Sequence, residues 1–169
     1  MKSINKYIGQ ELQWVHPNLL SSEYELRAGD ELLAHLHWKG ALTAQVCAET
    51  ADGGWMIERK GIRQIITVLA LDAPTELATI KRGMSGHATL LLADGREYRW
   101  QSTSFWRDVW TWLNNEGTPL LHVKRGAHVQ LEPAEQDLPE LGLLTTLGWY
   151  LHKQQEEEAA IAAIVPIIG

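Results

Sequence analysis

The sequence predicts a mainly β protein: a closed or nearly closed antiparallel barrel of about twelve strands around a hydrophobic C-terminal helix. Three observations lead there. Between Leu12 and about Leu131, short extended runs alternate with turn residues. After Pro133 the signals become helical. The stretch "LGLLTTLGWYL", residues 141 to 151, is apolar almost all the way round, so something must surround it.

The overall composition sets limits. The chain has 169 residues, 45% hydrophobic and 21% charged, which suits one globular domain with a sizeable core. A net charge of -6 argues against nucleic acid as a partner. It also lowers any general affinity for anionic membranes, while leaving room for a local basic patch. A lone cysteine, Cys47, forms no internal disulfide, so a reducing compartment is expected, with Cys47 a small buried strand residue. "MKSINKYIGQELQW" has neither the apolar core nor the cleavage site of a signal peptide. The expected location is cytoplasmic, peripheral to a membrane if the tail contacts one.

The strands follow in order. "EYELRAGDELLAHLHWKG" reads as strand, turn, strand, with the turn at Ala28-Gly29-Asp30. "ALTAQVCAETADGGWMIERKG" repeats the form around Asp52-Gly53-Gly54, and "HATLLLADGREYRWQS" around Asp94-Gly95. Asp-Gly between alternating runs signals a hairpin because tight primed turns need positive φ. Ala88, Leu90 and Leu92 share a face, as do Tyr98 and Trp100 opposite Glu97 and Arg99. Trp106, Trp110 and Trp112 have one parity and Arg107 and Thr111 the other. "IRQIITVLALD" is apolar on both faces, which predicts a strand covered on both sides. "RGMSG", Arg82 to Gly86, lacks phosphate-loop spacing and reads as a hairpin turn.

The helix is expected over about 138–153, capped at Asp137 or Leu138, with Pro139 in its first turn and Glu140 at the positive end of its dipole. Leu141 to Leu151 covers about 16 Å, short of the roughly 20 apolar residues of a bilayer span. A helix apolar on every side therefore belongs inside the barrel. Gly142, Thr145, Thr146 and Gly148 would let tryptophans approach it closely. The expected organisation is a single barrel domain over 1–153 and an acidic, then apolar, tail over 154–169.

The segments "HATLLLADGREYRW", "WTWLNNEGTPLLHVKRG" and "LPELGLLTTLGWYL" carry a family likeness. In architecture and order of elements, the chain from about Leu12 to Leu151 resembles the tubby C-terminal-like superfamily. That group includes the tubby, LURP-one-related and phospholipid-scramblase-like families. The resemblance implies a twelve-stranded barrel around a central helix and, for some members, phosphoinositide binding or membrane association. No stretch matches the tubby phosphoinositide-binding motif, so no ligand residue carries over.

Candidate functional residues come from patterns. "HWKG", "ERKG", "IKRG" and "VKRG" each place basic residues and a glycine at a presumed strand end, closing at Gly40, Gly61, Gly83 and Gly126. If those ends share a rim, Lys39, Arg59, Lys60, Lys81, Arg82, Lys124 and Arg125 form a basic contact surface. In the tail, Ile161 and Ile164 would contact a membrane surface, a partner protein or a second copy of the chain. His35 and His37 point to one strand face and are the candidate metal pair, with Glu49, His87 or His122 as further ligands. Asp108 would pair with Arg96 or Arg99 if buried among its tryptophans. The serines show no catalytic motif, and no cofactor is expected. The expected function is a non-enzymatic, tubby-like binding or scaffold module. The alternative is a metal-dependent barrel enzyme or small-molecule binder using His35 and His37.

Overall fold

The computed structural model describes residues 1–40, 45–60, 65–104, 106, 108–133 and 137–168. A short 3-10 turn, Ile4–Tyr7, precedes twelve strands: β1 Leu12–Val15, β2 Glu23–Ala28, β3 Glu31–Trp38, β4 Gln45–Thr50, β5 Gly53–Arg59, β6 Ile65–Ala70, β7 Glu76–Arg82, β8 Ala88–Leu92, β9 Glu97–Ser104, β10 Val109–Leu113, β11 Pro119–Lys124 and β12 His128–Leu131. A single long helix, α1, follows over Leu141–Ile168. Each strand pairs antiparallel with the next, and β1 closes the ring against β12. The barrel is therefore an up-and-down meander without a free edge.

Alternation puts one face of each strand inside. Ala88, Trp100, Trp112, Leu121 and Leu131 stand directly opposite one another across β8 to β12, all buried. Register shifts at Leu26/Arg27, Val68/Leu69, Val109/Trp110 and Trp112/Leu113 supply the local bends that closure needs. The closing seam is short: only Leu12↔Val129 and Gln13↔His128 are in register.

The first three turns of α1 thread this ring. Leu141 through His152 are buried on every side of the helix. Trp55 from β5 donates its indole N–H to Thr146 Oγ1 at 3.0 Å. From β1, Trp14 stacks on Trp149 with centroids 5.6 Å apart. A Cβ on Gly142 would lie 3.1 Å from Thr50 Oγ1 of β4, and one on Gly148 would lie 3.1 Å from Trp112 and 3.2 Å from Trp100. The two helical glycines are thus the points of closest approach, as the small residues in the sequence suggest.

Several expectations are corrected. The helix begins at Leu141 rather than about Leu138. Leu144 N–H bonds to the Glu140 carbonyl at 2.8 Å, making Glu140, after the Pro139 turn, the residue that opens the ladder. Nor does the helix stop at Lys153. Glutamates and alanines are good helix formers, so it runs unbroken through the segment read as a tail. The turn between β4 and β5 falls on Ala51-Asp52, and Gly53 and Gly54 open β5. β6 is covered on one side only, since Ile66 and Val68 are buried while Ile65 is 37% exposed. Cys47 is half-buried on the outer face, because Val46 and Ala48 take the inside.

Antiparallel closure gives the barrel two distinct ends. The turns β2–β3, β4–β5, β6–β7, β8–β9 and β10–β11 lie at the lower end, where α1 enters and buried Ile4 contacts it. The connections β1–β2, β3–β4, β5–β6, β7–β8, β9–β10 and β11–β12 lie at the upper end, where α1 emerges.

Candidate functional site

The upper end collects the basic strand ends. Odd-numbered strands all finish there, so Lys39, Arg59, Lys60, Lys81, Arg82, Lys124 and Arg125 border one rim despite wide separation in sequence. Gly61 lies outside the described residues.

Their environments differ. Lys39, Arg59, Lys81 and Arg125 are exposed. Lys60 is ion-paired with Glu58 at 3.1 Å, and Lys124 Nζ donates to Gln130 Oε1. Arg82 departs from the pattern: its side chain is only 6% exposed and faces the emerging helix. It donates to Gln154 Oε1 at 3.3 Å and to both carboxylate oxygens of Glu158, at 2.9 Å for Oε2. The Arg82 hydrogen bonds hold the Glu158 carboxyl below the ordinary glutamate range. Arg82 thus anchors α1.

A second clamp holds α1 at the lower end. Arg96 reaches Glu140 and also Asp94, at 2.8 Å from the latter. The expected partnership of Asp108 with Arg96 is therefore absent; the two residues stand at opposite ends of the barrel. Asp108 has φ 50 and lies just before β10. That left-handed residue and the adjoining register shift break the strand. Trp110 and Trp112 turn inward, whereas Trp106 is 89% exposed on the loop.

Beyond Glu158 the helix leaves the barrel. Ile161, Ile164 and Val165 are 62%, 50% and 60% exposed. Below them His152 is buried and stacks on Trp149, and Lys153 Nζ lies 5.5 Å above the Tyr24 ring.

His35 and His37 share the outer face of β3, with Leu36 buried behind them. Glu25 and Glu49 flank His35 in register, and Glu23 and Cys47 flank His37. His87 and His122 sit on other parts of the wall, next to β8 and on β11. Among the described residues no three metal-ligating side chains are grouped closely enough to hold an ion. His122 instead accepts or donates in a row with Thr111 and Glu132, each contact 2.7 Å.

No family model, curated protein or solved structure matches this chain. Among the described residues no helix is long and apolar enough to cross a membrane.

Proposed function

We propose that this chain is a non-enzymatic binding or scaffold module of tubby-like type, which docks through the upper end of its barrel. The observation that carries the reading is the division of α1. Its first half is consumed as the barrel's core, while its last described turns, with Ile161 and Ile164, stay bare. An interior filled by a helix leaves the surface as the place for a ligand or partner. A cytoplasmic location belongs to the same reading. The test is to compare the full chain with Ile161→Ser/Ile164→Ser and with a chain ending at Glu158, by light scattering and by sedimentation with vesicles. Loss of self-association or vesicle binding in both variants, with the barrel still folded, supports docking through the helix. Identical behaviour of all three chains overturns it.

A further inference from the structure

Four apolar side chains protrude almost completely from the molecule: Leu19 at 88% exposed, Leu20 at 96%, Met84 at 90% and Trp106 at 89%. They belong to three different connections, β1–β2, β7–β8 and β9–β10. All three connections lie at the upper end, around the emerging helix. Among the described residues outside α1, the other exposed large apolar side chains, Met1, Ile65, Leu71 and Leu91, reach only 37% to 53%.

Charge is separated along the same axis. Each of the five lower turns carries a carboxylate: Asp30, Asp52, Asp72, Asp94 and Glu116. The upper rim carries the exposed cations Lys39, Arg59, Lys81 and Arg125 and the Lys60–Glu58 pair, with Glu23 at the start of β2 and Asp108 before β10 as its other carboxylates. On the wall just below, a concavity of about 290 Å³ is lined by Lys81, Arg82, His87 and Arg99 and by no carboxylate. A net charge of -6 conceals this polarity. Of the three glutamates where α1 emerges, Glu156 pairs with Lys153 at 2.5 Å and Glu158 with Arg82, while Glu157 is exposed.

We infer that the upper end is a footprint for an anionic lipid surface. Leu19, Leu20, Met84 and Trp106 enter the interface in a ring around the helix tip, and the rim cations meet the headgroups. This rests on the docking reading above and names its partner. Beyond Glu158, Ala159 to Ile168 adds about 15 Å of helix, about the depth of one leaflet's hydrocarbon. Apolar anchors combined with a basic patch are the two signals that stable peripheral binding requires. A second copy is disfavoured as the occupant, because two cationic rims brought face to face repel.

The test uses the full chain with phosphatidylcholine vesicles, with and without phosphatidylserine. Wild type should bind the mixed vesicles at least about tenfold more tightly than phosphatidylcholine alone, and salt should weaken that binding. Leu19→Ser/Leu20→Ser should weaken it by about tenfold or more at unchanged thermal stability. Brominated acyl chains should quench tryptophan emission in wild type and much less in Trp106→Phe. If the chain binds vesicles but neither loop variant changes binding or quenching, the footprint is wrong and docking through the helix alone survives. If it ignores vesicles yet self-associates through Ile161 and Ile164, the lipid inference fails and the docking reading stands. If it does neither, both fail.

Discussion

Gly148 shows how much one atom weighs in this interior. An alanine there would gain about 1 kcal/mol in helix propensity. Its Cβ would also press within 3.1–3.2 Å of the two fully buried indoles of Trp100 and Trp112. Overpacking of that kind costs about 1–3 kcal/mol, so Gly148→Ala should lower the denaturant midpoint despite its better propensity. Trp55→Phe removes the N–H that Thr146 accepts and should cost about 1 kcal/mol by the same measurement. Tyr150 offers a pH test. Burial pushes its phenol up to about 12. A folded value above the unfolded value of about 10 contributes stability that is complete below pH 10 and lost as pH rises through the folded value. Absorbance titration should find one tyrosine ionising only as the protein unfolds in alkali. The sequence displays the small residues of this helix openly. It cannot show which indole meets which glycine, because that depends on the register of strands far away in the chain.

At the scale of the element, α1 is one helix with two environments, pinned where each begins. Arg96–Glu140 fixes its start and Arg82–Glu158 its departure. Glu158→Gln should destabilise the protein at neutral pH. A carboxyl held below its ordinary range contributes stability above the unfolded value and loses it as pH falls through the folded one. The gap in urea midpoint between wild type and Glu158→Gln should therefore close on acidification. A constant gap would mean the carboxylate charge is not what anchors the helix. This clamp explains why "IKRG" differs from the other basic strand ends, although the motif itself looks the same in all four. The turn signals were legible because Asp-Gly pairs act locally. Trp106 was misjudged because counting parity assumes an unbroken strand, and the backbone of Asp108 breaks it.

The whole molecule is a ring built around a rod. An approximate strand number and an enclosed helix follow from alternation, punctuated turns and one all-apolar stretch, whereas closure and strand order depend on register that no alternation pattern reveals. The two polar ends could not be read directly either. They arise because an up-and-down ring sends every second connection the same way, which requires knowing that the ring closes in chain order. Without the rod the ring has no core. A chain ending at Asp137 should lack a cooperative thermal transition and near-ultraviolet dichroism, whereas one ending at Glu158 should keep both. Amide exchange should be fastest, among the paired strands, along the two-residue seam of β1 and β12. The helix also follows the strands in the chain, which fixes an order of events in the cell. A ribosome delivers all twelve strands before the residues that fill them. The early hairpins wait with tryptophans and leucines uncovered, and β1 waits for a partner more than a hundred residues downstream. Such a nascent chain leaves long-range apolar strands unfilled, and the barrel should close in one late step once α1 has emerged.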